Sequence, residues 1–486
     1  MSPRIAWFTE GTRKKIVSEA KRLLDEVGVF VENDEALELL EGAGAQVERD
    51  KRRVRISADI VERAVESAPP KVTLYNRRGE AAMDLGGDRI HFNPGSAALR
   101  IFDLKEGRAR PAGTADLVRF VTLTDALAGY AAQSTGLISA DVPQEVQDRY
   151  RLYIALQYSA KPVVTGTFRV DGFKLMHEML ASVAGDAERL REKPMAIFDC
   201  CPSPPLKWSD LTAQALIDCA RTGLVAELIS MPLTGATSPV TLAGAVTQHC
   251  AECLSGIVIH QLAAPGAPIV YGGSPACFDM RKGTTPMGAI ETMMIDGAYA
   301  EIGKHLGLPV QAYMALSDSK TVDYQAGMET AMGAVVAALS GINNISGPGM
   351  LDFESCQSLE KLVLDNEICR MALRLAGGIE LREDPIVPSE LMREGIERGS
   401  FLSLPSTVKW FRKEAYFPDE VIDRSALDEW QKQGSKDAAR RSAERVEQIL
   451  AAHKPEPLDD AVRAHIKGLM EAEARRFGMK ELPRTV

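Results

Sequence analysis

The sequence predicts an α/β protein: a (β/α)8 TIM barrel, preceded by a cap of helices with short strands and followed by a C-terminal helical extension. Three observations predict it. Short apolar runs alternate with amphipathic helical stretches eight times, roughly 30 to 43 residues apart, a spacing that suits βα units around a parallel sheet. The runs are apolar almost throughout, as strands buried on both faces must be. Eight units favour closure over a doubly wound open sheet, which usually has fewer strands. The expected domains are 1–87 for the cap, 88–378 for the barrel carrying the active site, and 379–486 for the extension.

In chain order, Ile16, Ala20, Leu23, Leu24 and Val27, then Ala36, Leu37, Leu39 and Leu40, recur at helical spacing, followed by β-like runs at 53–56 and 72–75. This cap offers no obvious catalytic group. The barrel strands are read at 90–92, 131–139, 162–168, 195–200, 225–231, 268–271, 310–316 and 342–346. Past Gly378 the segments are punctuated by proline (Asp384-Pro385, Val387-Pro388) and end in a charged helix over 436–452. Such an extension either packs across the barrel mouth or forms a subunit interface.

A chain of 486 residues exceeds the size at which one core stops growing, and 45% hydrophobic with 26% charged residues is ordinary for a soluble enzyme. No apolar run reaches the roughly 18 residues of a membrane span, and the N-terminus lacks a signal-peptide core. A cytoplasmic protein that does not enter a membrane is expected. Lysine and arginine number 57 against 67 acidic residues, a net charge of −10, which repels nucleic acid and favours cationic or neutral partners. The eight cysteines read as reduced thiols rather than a disulfide framework.

In a barrel the residues following each strand converge on one face, so the candidate site is collected across the chain. The run from Ser317 to Glu329 is the most charged part of that face, with Asp318, Lys320, Asp323 and Glu329 behind an apolar strand. Asp318, Lys320, Asp323 and Gln325 are the catalytic candidates. Phe92, Phe168, Tyr271, Tyr313 and Tyr324 are aromatic candidates for binding a small, partly apolar cation, because aromatic faces attract alkylammonium groups; as packing residues they would simply fill barrel layers. Arg169 is the remaining mouth charge. Gly272, Gly273, Gly347 and Gly349 lie in turns that admit close approach of a ligand or cofactor to the backbone. Lys320 also suits Schiff-base chemistry, although two flanking aspartates favour an ordinary ion pair. His249, Cys250 and Cys253 fall inside a helical run without a second ligand pair, and the vicinal Cys200 and Cys201 point to opposite faces of a strand, so no metal site is expected.

The blocks Pro232 to Leu242, Pro265 to Gly273, Asp318-Ser319-Lys320 with Asp323-Tyr324-Gln325-Ala326-Gly327, and Leu364-Asp365-Asn366-Glu367 together resemble the trimethylamine methyltransferase superfamily. Leu24 to Val29 and Gly42 to Val47 fit it as well. The resemblance implies a barrel that presents a methylated amine to the cobalt of a separate corrinoid protein, with no cofactor held tightly by this chain. The family archetype carries pyrrolysine, whose imine captures an amine through its lone pair, and this chain has only ordinary residues. A quaternary ammonium has no lone pair and is already activated, so the non-pyrrolysine branch implies betaine-like substrates, with Arg169 or Lys320 holding a betaine carboxylate. A homo-oligomer is expected. A lyase or aldolase working through Lys320, and a silent scaffold that docks corrinoid proteins, are the alternatives.

Overall fold

The computed structural model describes residues 3–485, among which seventeen α-helices accompany short strands. Eight parallel strands form the frame: β1 (His91–Phe92), β2 (Gln133–Ser134), β3 (Val163–Thr165), β4 (Ala196–Cys200), β5 (Val225–Leu228), β6 (Ile269–Val270), β7 (Gln311–Tyr313) and β8 (Asn344–Ser346). Each falls inside one of the eight runs read from the sequence and is shorter than it. They form two sheets, in the orders β6-β5-β4-β3-β2 and β7-β8-β1. Isolated parallel bridges stand between the facing edges, Tyr271 with Val310 at one, and Phe92 with Tyr130 and Ala98 with Leu137 at the other. The continuous barrel ladder expected from the sequence is therefore absent. The contacts at these edges fall mainly on residues that flank the strands, such as Tyr130, Tyr271 and Val310, and the strands' own pairing is with their neighbours inside each sheet.

The amino-terminal side of the sheets is filled by a hairpin, Val72–Tyr75 with Ala81–Leu85. Its Val72, Leu74, Met83 and Leu85 close on Val164, Ile197, Val225 and Val270 of the strands in one buried cluster. That plug leaves the carboxyl ends as the face open to chemistry. The first three short strands of the chain, Val29–Val31, Gln46–Glu48 and Arg53–Arg55, form a sheet whose edge strand Val29–Val31 pairs with Lys207–Trp208, tying the N-terminal region to the loop after β4.

Leu242–Ala263 is apolar on all sides and carries the N-terminal helices Glu10–Glu26 and Ala58–Ser67 on its surface. By length and composition this 22-residue helix could span a membrane, contrary to the expectation that no apolar run reaches that length, but 78% of its most apolar window is buried inside the fold. His249, Cys250 and Cys253 lie within it and are fully buried. At its carboxyl side the fold adds a sheet of Arg100–Asp103, Arg108–Pro111, Met350–Leu351 and Cys356–Gln357. Farther on, Ala438–Ala452 packs on Leu359–Ala376, and Asp460–Arg476 packs on Gln147–Tyr158 and Gly172–Ala184. Between them, no side chain of residues 377–420 joins the hydrophobic core.

Candidate active site

Strands β4, β5, β7 and β8, one helix and one turn bring a group of polar, mostly ionisable side chains together. Asp199 on β4 and Glu227 on β5 are register partners on adjacent strands, so their side chains share one face. Each is bonded to the other sheet. Tyr313 Oη on β7 donates to Asp199 Oδ2 at 3.2 Å, and Asn344 Nδ2 on β8 donates to Glu227 Oε1 at 2.8 Å. Asn344 is held in turn by Asn93, just past β1, whose Nδ2 donates to Asn344 Oδ1 at 2.8 Å. Asp199 Oδ1 and Glu227 Oε2 receive no donor from elsewhere in the chain, and a proton held on Glu227 bonds the two carboxyls to each other.

Burial pushes both carboxyls up: Asp199 to about 7, against the opposing pull of its hydrogen bonds and Arg151, and Glu227 well above its ordinary range, with Asp199 adding to the rise. Two like charges this close cannot both ionise cheaply, so they titrate as a pair. Glu354 joins them from the turn after Met350–Leu351. Burial, then Asp199 and Asp318, raise it to about 8, and its Oε1 is unpartnered. That turn is built from three successive non-glycine residues in the left-handed region, Asp352, Phe353 and Glu354, with φ of 51°, 54° and 67°. Strain of this kind persists only where surrounding contacts hold it, and it concentrates at functional sites.

Arg151, on the helix Gln147–Tyr158, is the buried cation of the group. Its Nη1 donates to Thr135 O at 2.6 Å, its guanidinium stands 4.5 Å from the Phe168 ring centroid, and its Nε is free of any partner. Burial lowers its pKa to about 10, with Asp148, Asp199 and Tyr313 opposing the shift.

Of the residues picked from the sequence, Tyr313 and Phe168 stand in this group through Asp199 and Arg151. Asp318 borders it: its oxygens accept from Met287 N and Gly288 N, each at 2.9 Å, and burial raises it to about 6. Lys320 is on the rim, with Nζ 2.6 Å from Asp318 O and 3.8 Å from the Phe353 ring centroid, and 3.5 Å from Asp352; it clamps the left-handed turn. Asp323 caps the helix Tyr324–Leu339, accepting from Ala326 N. Gln325 donates to Glu329 on the surface of that helix, and Tyr324 is 85% exposed.

Arg169 is bonded to Asp171 and lies over Phe477, which ties it to the C-terminal segment. Phe92 is fully buried. Tyr271 is buried against His249, which stacks on Tyr299 at 4.0 Å. At the four glycines, protein atoms already occupy the space of a Cβ: Gln311 at Gly272, His249 at Gly273, Met314 O at Gly347 and Gln357 at Gly349. Their close approaches are to neighbouring parts of the chain.

Asp199, Glu227, Arg151 and Glu354 escaped the sequence reading. Two of them carried a signal, since Asp199 and Glu227 are acids inside apolar runs, 195–200 and 225–231, whereas the search took only residues that follow each run. The motif Asp365-Asn366-Glu367 proves to be bracing: Asp365 accepts from Gly349 N at 2.7 Å and pairs with Lys361, Asn366 accepts from Gly129 N, and Glu367 accepts from Tyr416 Oη.

Fold and site together define an α/β protein with a cluster of buried carboxyls and the buried Arg151 guanidinium at the carboxyl side of its parallel strands. The chain belongs to the trimethylamine methyltransferase (MTTB) family, whose pattern it matches over residues 1–478. It is 30% identical over 475 residues to trimethylamine methyltransferase MttB of Desulfitobacterium hafniense, covering 98% of this chain and 95% of that protein. It is 31% identical over 478 residues to a glycine betaine methyltransferase of D. hafniense, covering 98% of each. The crystal structure of the Methanosarcina barkeri monomethylamine methyltransferase (MtmB) shares the fold, with a TM-score of 0.51 over 90% of this chain and 93% of that one at 11% identity.

Proposed function

We propose that this protein is a methyltransferase that moves a methyl group from a quaternary, betaine-like amine to Co(I) of a separate corrinoid protein. The observation that carries the substrate class is the gathering of three buried carboxyls, the mutually bonded Asp199 and Glu227 and the Glu354 whose Oε1 is unpartnered, with the unpartnered Nε of buried Arg151. A cation beside the carboxyls and a carboxylate on Arg151 would satisfy both halves at once. The zwitterion answers the site's own deficits. Family membership and the similarity to a glycine betaine methyltransferase support the same reading.

In the reaction, the cobalt electron pair attacks one methyl carbon in line with the C–N bond. The Co–C bond forms, the C–N bond breaks with its electrons returning to nitrogen, and a neutral tertiary amine leaves. Holding the methyl carbon in line is the chain's main contribution. Because nitrogen loses its charge in the transition state, a fully ionised carboxylate pair against it would favour the bound substrate too strongly. Carboxyls that titrate near neutrality hold the cation less tightly, and the Phe168 and Tyr313 rings suit its methyl groups.

The catalytic site is read here as the interior of an eight-stranded barrel. The hydrogen bonds Tyr313–Asp199 and Asn344–Glu227, which join the two sheets across the interior, and the isolated bridges at both edges support that reading. The partner would meet the carboxyl face, where Met231, Met280, Met328 and Met332 are exposed in the segments that follow β5, β6 and β7.

The test mixes the protein with chemically reduced Co(I) cobalamin, and separately with a corrinoid protein, and follows methyl-cobalt absorbance across quaternary and tertiary methylamines. Methyl transfer from a carboxylated quaternary amine is the expected result. Silence with every amine in both formats overturns the reading.

A further inference from the structure

The segment that leaves the core after Leu359–Ala376 is the most apolar surface of the molecule. Of the twenty-five exposed large hydrophobic side chains among the described residues, thirteen fall between Leu375 and Leu427, about a ninth of the chain. Ile379, Leu381, Ile396, Leu402 and Val408 are each more than two-thirds exposed. The eleven between Ile379 and Phe417 expose on the order of 1,000 Å2 of apolar surface in total, and apolar surface gathered on one segment marks an interaction site.

The segment is nonetheless a built structure. Helices Ser389–Arg398 and Pro405–Glu414 are joined by a turn in which Phe401 covers Gly395 and Leu404 is fully buried. Its base is tied down. Arg374 donates to Glu414 O, and the returning chain is fixed where Tyr416 Oη and Asp419 N donate to Glu367 Oε2 at 2.6 and 3.0 Å. The result is an ordered arm whose apolar face its own core does not use.

We propose that residues 379–417 form a dimerisation arm, which packs against the same arm of a second copy of this chain about a two-fold axis. The available area matches the occupant: a standard interface takes about 800 Å2 from each partner, and apolar character at this level belongs to permanent homodimers. A partner that comes and goes would meet a smaller and more polar face. Charge fits a self-complementary contact as well. Ser389–Arg398 carries three glutamates and two arginines, and Pro405–Glu414 carries Lys409, Arg412 and Lys413 against Glu414 alone. An isologous two-fold that crosses the pair would set the first helix, two arginines against three glutamates, opposite the second helix of the other copy, three cations against one glutamate.

Sedimentation equilibrium of the full chain at micromolar concentration tests this. A dimer is expected, with Leu402→Asp/Val408→Asp weakening association roughly 100-fold while far-ultraviolet dichroism is unchanged. Leu99→Asp, an exposed apolar site outside the arm, should leave the dimer intact. Hydrogen exchange on the unaltered protein gives an independent reading: arm amides should become more protected as concentration rises across the association range. A monomeric wild-type chain, a dimer indifferent to the arm substitutions, or concentration-independent arm exchange overturns the proposal. None of these readouts depends on catalysis, so failure here is distinct from failure of the methyl-transfer reading.

Discussion

Asp199 is expensive where it stands. One carboxyl oxygen receives no donor from elsewhere in the chain, Glu227 lies beside it, and burial lifts its titration to about 7. In the unfolded chain the same group ionises near 3.9. The folded state therefore binds the extra proton between those values, and stability present at low pH is lost as pH rises from about 4 to about 7. Asp199→Asn keeps an acceptor for Tyr313 and removes the titration. Its thermal midpoint should fall less between pH 5 and pH 8 than that of the wild type, with a gain on the order of 1–3 kcal/mol at pH 8. Methyl transfer should drop at least about tenfold in kcat/KM. Parallel pH profiles of unfolding would contradict the burial argument. Arg151→Met makes a separate demand. KM for a carboxylated quaternary amine should rise roughly 10–100-fold, while a tail-less cation such as tetramethylammonium is used almost as before. Equal losses for both would mean that Arg151 acts on the fold and not on the tail.

The left-handed turn Asp352-Phe353-Glu354 shows how an element can hold one residue in place. Lys320 pins it from outside by its ion pair with Asp352 and its position over Phe353, so that Glu354 reaches the carboxyl group of the site. Lys320→Met should loosen that turn, raising hydrogen exchange at 352–356 and lowering activity by less than about tenfold. Complete inactivation with unchanged exchange would instead point to chemistry at the lysine amine. This element also marks where sequence reading stops. The eight strands and the long helix were legible because burial on both faces leaves an unbroken apolar run, and the helix over 436–452 was legible from its charged face. The turn was not, because Asp, Phe and Glu carry no local preference for positive φ and are held there by distant residues. Asp199 and Glu227 could have been found as acids interrupting apolar strands, whereas Arg151 reads in sequence like any arginine of an amphipathic helix. The hydrogen bonds that bring all these residues together link positions more than a hundred residues apart, such as Tyr313 with Asp199 and Asn344 with Glu227.

At the scale of the whole molecule, an acidic chain with a net charge of −10 concentrates unpaired acidity at one interior site and leaves it partly protonated. A bound cation favours the ionised form of a neighbouring carboxyl and lowers its pKa. Entry of a quaternary amine should therefore expel a proton from the group formed by Asp199, Glu227 and Glu354, and by linkage raising the pH should tighten binding. From pH 6 to pH 8 the affinity should increase by up to about tenfold per pH unit for each proton released, and level off once the carboxyls at about 7 and about 8 are ionised in the free protein. A permanent cation makes the experiment clean, because the ligand itself does not titrate. Calorimetry of a betaine in buffers of different ionisation enthalpy should show proton release at pH 6.5 that is reduced in Glu354→Gln/Asp199→Asn, where Glu227 alone of the three remains. Binding with no proton release, and with an affinity flat from pH 6 to pH 8, would mean that these carboxyls do not meet the cation and that its charge is balanced elsewhere.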